Sequence, residues 1–501
     1  FIKGTETGVV TDLDGRYSIT AHHGDVLVFS YIGYQAKEMT ASRKDTADIV
    51  LTPDSRLLDE SVVVGYGVQK KINLTGAVDV VDSEELVGRS ASNTSSLLVG
   101  IVPNLNVTQS NGRPGQGASL NIRGINSISS STGPLVLVDG IEGNIDNVNP
   151  NDIESISVLK DASSSAVYGA RAAYGVILIT TKSGSDGKAH VSYNGRFSFS
   201  TTTTSTDFET RGYYSAAIAD MFFSTYQGSP YTAYNAEDYY ELWIRRNDKV
   251  ENPERPWVMV KDGQYKHYAN FDWYHYLFDD TRPTWEHDIS IYGGNDKLNY
   301  RISGGLYDGK GVLNVGSGDD YKRWNFRSKI SAQITPWLKI SNNTSFAYNR
   351  YNFNSHGAVA RVFSNSQTNA LASFMPYNPD GTAVWKLPGC INSSYQVTNG
   401  VNVILRHDKD YNQDSNNVFG TIFEAVLTPV RHFSITANYS YTQSEYIFVN
   451  RTVPVPYSET PGVVEIRTDI TDKLTESRQK SRYHAANAFA NYDNTFSGHH
   501  I

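Results

Sequence analysis

The chain has 501 residues, a formal charge of −8 and a pI near 5.9, which argues against a nucleic-acid partner. Hydrophobic residues reach only 39% while Tyr, Phe and Trp number 33, 20 and 7, so Tyr stands where Leu, Ile and Val would dominate an ordinary enzyme core. No run of about 18 apolar residues occurs, which excludes a transmembrane helix but not a transmembrane β-barrel, whose apolar residues alternate. Cys390 is the single cysteine, so a disulfide framework, a Cys-based zinc site and a redox pair are excluded, and no cofactor or metal is expected. The first residue is Phe1 rather than Met and the last residues read as a turn, so a piece of a longer chain is expected.

Residues 1–53 are predicted to form a small β-sandwich module. The turn Thr11-Asp12-Leu13-Asp14-Gly15 lies between strands at Gly8–Val10 and Tyr17–Ile19, followed by strands at Asp25–Tyr34 and Asp48–Leu51. Asp12-x-Asp14-Gly15 lacks the further ligands of a calcium loop and reads as a turn. In the segment 54–75, the acidic pair Asp59 and Glu60 precedes Ser61-Val62-Val63-Val64, then Gly65, Gly67, Lys70 and Lys71. A short β-branched run of this kind suits strand addition to a partner's sheet edge, or an internal strand.

Residues 76–184 read as α/β. A short helix is expected over Ser92–Val99 and a small-residue helix over Ser163–Ala173. Strands are expected at Leu120–Gly124, Pro134–Gly140, Asp152–Lys160 and Val176–Thr181. Gly112–Gly117 (GRPGQG) lacks the Gly-Lys-Ser/Thr of a phosphate loop and reads as an apical loop.

From residue 185 the chain changes to long alternating strands, near 190–200, 284–293, 297–307, 321–334, 337–349, 416–428, 432–442 and 481–492. Val191, Tyr193, Phe197 and Phe199 alternate with Ser192, Asn194, Arg196 and Ser198, and the later strands repeat the pattern. The connections 201–283, 308–320, 350–415 and 443–480 are long, whereas those at Gly293–Asp296, Thr335–Pro336 and Pro429–Arg431 are tight. Long connections alternating with short ones, between strands apolar on one face and basic or polar on the other, predict a transmembrane antiparallel β-barrel with long outer loops and short periplasmic turns.

With these residues in view, the sequence resembles the SusC-like branch of the TonB-dependent transporters of Bacteroidota. DLDGRYSI and DVLVFSYIGY resemble its carboxypeptidase-regulatory-like module, and Leu58–Gly67 resembles its TonB box, with Ser61 where a β-branched residue is expected. Asn121–Gly124, Pro134–Gly140 and LKDASSSAVYGARAAYGVILITTKSG resemble its plug signature. The resemblance implies a mainly β protein: a 22-stranded barrel, of which residues 185–501 supply about eight strands, with an N-terminal α/β plug at 76–184. An eight-stranded barrel is filled by its own side chains and cannot hold such a plug, so the wall read here is incomplete.

The resemblance further implies active import of a bulky nutrient, an oligosaccharide in the first instance, across the outer membrane. TonB would pair with Asp59, Glu60, Ser61, Val62, Val63, Val64 and Gly65 and pull the plug open, and a SusD-like surface lipoprotein would cover the outer loops. Outer-membrane lipid would surround the wall. Import of oligopeptides and a substrate-sensing signalling role are the alternatives. Zinc-protease, nucleophile-elbow and paired-carboxylate signatures are absent, so no enzyme is expected. For substrate, Asn111, Arg113 and Gln116 of the apical loop can donate to hydroxyls, or Arg113 can pair with an inward wall acid and seat the plug. Trp257, Trp273 and Trp385 can stack on sugar rings or pack within the loops. Asp279–Asp280 and Asp319–Asp320 read as solvated turn acids.

Overall fold

The computed structural model describes residues 78–86, 93–109, 112–122, 133–161, 165–203, 205–314, 319–353, 370–385, 410–454, 456–466 and 471–492, with short stretches before 78, Arg89, and a few residues after 492. Among the described residues no helix is long and apolar enough to cross a membrane, which says nothing of β-barrels.

In the N-terminal module β1 (Val26–Phe29) pairs antiparallel with β2 (Lys37–Thr40), and Ile2 bridges Leu27. Among the described residues the strands expected around Val9, Tyr17–Ile19 and Asp48–Leu51 are not formed, and Val9 and Val50 are exposed. The Asp12–Gly15 turn lies outside the described residues. Next comes a hairpin of β3 (Ser61–Val64) and β4 (Gly67–Lys70).

The α/β unit begins with β5 (Val78–Asp82), α1 (Ser83–Leu86) and α2 (Thr94–Leu97), then the hairpin of β6 (Leu105–Thr108) and β7 (Ser119–Ile122). It continues with β8 (Leu135–Val138), β9 (Ile141–Glu142), β10 (Ile153–Leu159) and β11 (Val176–Thr181). The sheet order is β5-β10-β11-β8-β9, so β10 and β11 are central and β9 is an edge of two residues. Ile153, Ile156, Val158 and Ile177 are fully buried in one apolar cluster, and Leu159, Val176 and Leu178 in another. Runs such as VILITT are apolar without alternation because both faces of the sheet are covered. The helix expected at Ser163–Ala173 is a kinked 3-10 stretch over Ala166–Ala172, broken where Gly169 takes φ 66° and ψ −154°.

β12 (Gly187–Thr201) starts the large sheet, and the chain then leaves it for 79 residues, 202–280. That connection was read as a loop, but it is a packed insertion. It contains α3 (Gly212–Gln227), α4 (Ala236–Arg245), the hairpin of β13 (Val258–Lys261) and β14 (Gln264–His267), and α5 (Trp273–Leu277). Asn235 and Asp238 close a capping box at the start of α4, and Gly228 ends α3 in the left-handed conformation.

The sheet resumes with β15 (Thr281–Asn295), β16 (Leu298–Lys310), β17 (Asp320–Thr335), β18 (Leu338–Phe353), β19 (Tyr411–Val430) and β20 (Phe433–Thr452). An outer hairpin of β21 (Pro456–Thr460) and β22 (Val463–Ile466) precedes β23 (Lys473–Tyr492). All eight long strands pair antiparallel in the order β12-β15-β16-β17-β18-β19-β20-β23, with β12 and β23 as free edges. Val191, Ile289 and Phe423 face outward at 68%, 51% and 54% exposure, whereas Glu286, Asp288, Arg323 and Arg327 face inward and are buried. A sheet apolar on its open face and charged on its covered face suits lipid outside and a polar filling inside.

β19, β20 and β23 run 20 residues each, about twice what a tilted strand needs to cross a bilayer, and longer than the sequence reading gave. On the outward row of β20, Ile435, Ala437, Tyr439 and Tyr441 give way to Gln443 and Glu445. Apolar alternation stops at that height while backbone pairing, Gln443 with Arg482 and Glu445 with Lys480, goes on.

Candidate functional site

Of the proposed partner-binding segment, Ser61–Val64 form β3, and Asp59, Glu60 and Gly65 lie outside the described residues. β3 is not a lone strand: Ser61, Val62, Val63 and Val64 pair with Lys70, Gln69, Val68 and Gly67. Its second edge has no strand partner among the described residues. An isolated two-stranded hairpin is only marginally stable in water.

The plug meets the inward face of the large sheet along a polar seam centred on Asp139. Asp139 and Gly140 join β8 to β9 with both residues at positive φ (49° and 84°), the geometry that makes Asp-Gly a two-residue hairpin turn. The turn carries the Asp139 carboxylate to the wall. It accepts from Thr181 N at 3.0 Å, Thr181 Oγ1 at 2.7 Å and Asn343 Nδ2 at 2.6 Å, and lies 3.5 Å from Arg327 and 3.6 Å from Lys329. Burial raises the Asp139 pKa, but Lys329, Arg327 and the Thr181 bonds outweigh it and hold the carboxyl below its ordinary value. Arg327 also reaches Asp152 at 3.9 Å, and Lys329 donates to Thr181 O at 2.9 Å.

Further ties flank this centre. Asn149 and Asn151 donate to Asp288 of β15 at 2.5 and 2.7 Å, and Asn325 and Asn349 of β17 and β18 donate to Asn147 at 3.0 and 3.2 Å. Arg196 of β12 donates to Arg89 O at 2.7 Å. Within the plug, Asp146 accepts from Ser95 N at 2.8 Å, which ties the 145–147 turn to α2; burial pushes its carboxyl up.

At the apex, Asn111 lies outside the described residues. Arg113 pairs with Asp414 of β19 at 3.0 Å and lies 3.8 Å from the Tyr351 ring centroid and 5.2 Å from that of Phe353. Of the two roles open to Arg113, this geometry is that of a residue seating the plug. Gln116 is half-buried, its backbone closing a turn onto Arg113 O. Gly115 lies flat on Tyr321, where a Cβ would come within 2.2 Å of the ring, so the loop is pressed to the wall.

The three tryptophans are packing residues here. Trp273, Tyr231, Tyr274, Leu277, Leu371 and Phe374 form one buried cluster, and the Trp273 indole donates to Leu371 O at 3.0 Å. Trp257 and Trp385 are 7% and 6% exposed. A stacking role needs an open ring face; among the described residues Tyr226, Phe222 and Tyr240 are the most exposed rings of this region, while the Trp243 ring is covered by the Arg246 guanidinium at 3.5 Å. Asp319 and Asp320 bond to Tyr351 and Asn352, and Asp280 lies 3.6 Å from His275. Among the described residues no three His, Cys, Asp or Glu side chains gather as a metal site.

Sequence reasoning missed the seam because its partners are separated by 107 to 301 residues, although Asp139-Gly140 and the inward Arg327 and Lys329 were each visible alone.

Known proteins agree with this architecture. The TonB-dependent receptor plug domain family matches residues 70–176, and the CarboxypepD_reg-like domain family matches residues 1–64. The chain belongs to the TonB-dependent receptors. It is 35% identical to TonB-dependent receptor SusC of Bacteroides thetaiotaomicron over 377 residues, 72% of this chain and 33% of that protein. It is 31% identical to TonB-dependent receptor P39 of Formosa agariphila over 504 residues, 99% of this chain and 43% of that protein. The solved RagAB peptide importer in its open-open state superposes with a TM-score of 0.62 at 24% identity, covering 87% of this chain and 47% of that one. Within the receptors the chain is of the SusC/RagA type, and it spans between about a third and a half of the length of these relatives. The relatives are receptors and transporters rather than enzymes.

Proposed function

We propose that the chain serves energy-coupled import of a bulky nutrient across the outer membrane. The observation that carries this reading is the seam: an α/β plug is bonded to the inward polar face of a sheet whose outward face is apolar. In this reading residues 1–53 are the regulatory-like module, 54–75 the coupling segment, 76–184 the plug and 185–501 the first part of the barrel wall. TonB pairs with the open edge of Ser61–Val64, within the segment Asp59–Gly65, and pulls; a SusD-like lipoprotein covers the outer face.

The substrate is an oligosaccharide, a reading supported by the exposed rings of Tyr226 and Tyr240. An oligopeptide is the second reading, by likeness to the solved RagAB peptide importer. Val63→Pro removes a backbone donor and breaks regular pairing. In cells carrying the full-length protein it is expected to abolish uptake of labelled substrate while surface binding persists. Unchanged uptake would remove the coupling role from this strand, and uptake of labelled peptides but not glycans would decide for the second reading.

A further inference from the structure

On the outward face of the wall, the apolar rows of β20 and β23 end at one height, and cations begin there. The β20 row passes from Ile435 and Ala437 through Tyr439 and Tyr441 to Gln443. The register of β23 sets Ala486 opposite Tyr439, His484 opposite Tyr441, Arg482 opposite Gln443 and Lys480 opposite Glu445. His484 shares the outward face: its ring lies 5.0 Å from that of Tyr441, and its Nδ1 is 2.8 Å from the Tyr439 hydroxyl. The inward face is the one where Asn487 donates to Asn438 at 3.1 Å. Side chains alternate along a strand, so Arg482, Lys480 and Arg478 follow His484 outward, and all three are exposed. From Phe433 to Tyr441 the strand rises about 27 Å, or about 20 Å once tilted as barrel strands are. The two tyrosines therefore stand at the upper edge of the apolar band, with Arg482 and Lys480 just above it.

Other cations of the outer wall carry their own counter-charges. Lys322, on the outward row of β17, is paired with Asp308 at 2.9 Å, Arg451 with Asp472 at 2.6 Å and Arg478 with Glu476 at 2.5 Å. Among the described residues no acid pairs with the Arg482 or Lys480 side chain; Glu445 stands opposite Lys480 in the register without forming an ion pair. We infer that this stretch of β23 binds the phosphate-bearing headgroup of an outer-leaflet glycolipid, held by Arg482 and Lys480 above the Tyr439, Tyr441 and His484 rings. This rests on the importer reading for one point, that the wall stands in the outer membrane with its long connections outermost. The Arg482 guanidinium is a planar fork that matches two phosphate oxygens, and the Lys480 ammonium supplies a point charge. Alternate residues lie about 7 Å apart along a strand, so both cations reach one headgroup. Below them Ala486, Ala488 and Ala490 leave a shallow lane beside Tyr439 and Ile435, where an acyl chain lies against the wall. The chain then holds the phosphate beside the cations at high effective concentration, which a free anion in water lacks.

Native mass spectrometry of the purified full-length protein, stripped of bound lipid and titrated with diphosphorylated lipid A, tests this directly. Dephosphorylated lipid A, phosphatidylglycerol and inorganic phosphate are the comparison probes. Each exposed cation beside an anionic headgroup is worth about fivefold in affinity. Arg482→Gln is therefore expected to weaken binding of the diphosphorylated lipid about fivefold, and Arg482→Gln with Lys480→Gln about thirtyfold. Lys322→Gln, at a cation already neutralised, should leave it unchanged. The dephosphorylated form should bind the wild type no better than the diphosphorylated form binds the double variant, and millimolar inorganic phosphate should not compete. Both positions are exposed, so the variants should melt with the wild type; should the double variant melt lower, the two single variants carry the test. Equal binding of the dephosphorylated lipid, or unchanged affinity in the variants, would overturn the inference. So would phosphatidylglycerol binding as tightly as lipid A, which would mean charge attraction alone, or displacement by inorganic phosphate, which would mean a site for free anions. The titration measures no import, so its failure leaves the importer reading standing, and unchanged uptake by Val63→Pro leaves this site standing.

Discussion

In the plug, Ile156 and Ile177 are fully buried while Asp139 and Asp152 lie at its rim; in the wall, Ile289 faces outward and its neighbour Asp288 faces in. The two regions are ordered oppositely, one apolar at its centre and the other apolar on its exterior, and they meet polar side to polar side. A junction of hydrogen bonds and ion pairs can be undone and rehydrated without exposing an apolar core, since water replaces each partner at modest net cost. An apolar junction of the same extent would lose its full transfer free energy on parting. The joint between plug and wall is therefore the one that can open while each body stays folded.

The largest effect should come from leaving seam charges unmatched. Arg327→Ala strips one cation from beside Asp139 and Asp152 and is expected to cost the plug–wall assembly about 3–5 kcal/mol, read as a fall in plug melting. Asp139→Asn combined with Arg327→Gln should recover much of that loss, because both charges go together. A double variant as unstable as Arg327→Ala would mean that the seam is not a charge-matched joint. In the plug centre no such rescue is expected: Ile156→Ala should cost about 2–5 kcal/mol through the cavity it leaves, measured by denaturant unfolding. On the wall the sign of preference reverses. Ile289→Lys, harmless on a water-facing strand, should cost about 2–4 kcal/mol when folding into lipid is titrated, and a neutral result would deny that this face meets hydrocarbon.

The outer insertion sharpens the contrast, being packed like the plug centre yet holding a buried imidazole. His267 is fully buried, receives the Met375 amide at Nδ1 (3.2 Å) and faces Asn378 Oδ1 at 3.1 Å. Burial lowers its pKa to about 4. The unfolded chain, titrating near 6.5, takes up the proton first, so stability is complete above that pH and falls as pH drops toward about 4. Between pH 7 and 5 the insertion should lose about 2 kcal/mol, and His267→Gln should flatten that slope.

Strand number, order and the parity of connections were legible because each depends on neighbouring residues: alternation along a strand, a Pro or Gly between strands. The plug strands β7, β8, β10 and β11 were legible for the same reason, with a turn read at Asp139-Gly140, whereas β5, β6 and β9 were not read. What was not legible depends on distance. Nothing local distinguishes Trp273 on an open face from Trp273 wedged against Leu371, 98 residues away, with its indole bonded there. Arg113 offered a donor to substrate or to a wall acid, and the position of the acid it pairs with, Asp414, lies 301 residues on and is not read from local sequence. The outer parts of β20 and β23, and the first five residues of β19, escaped notice because strand was inferred from apolar alternation, which marks lipid contact rather than backbone pairing.

The outer insertion departs from the sheet at Thr201 and returns at Thr281, and these two residues are paired directly across β12 and β15. Entry and exit therefore sit side by side, and the wall's register is set below them, by Phe197 opposite Trp285 and by the pairs beyond. A recombination event with breakpoints at those two threonines would exchange the outer unit and leave the β12–β15 pairs below them intact, provided the incoming unit kept the bonds that Leu277, Phe278 and Asp279 make to residues 312–314. The segment 370–385, which bonds to the insertion through Ser373 and Ala372, would have to be inherited with it.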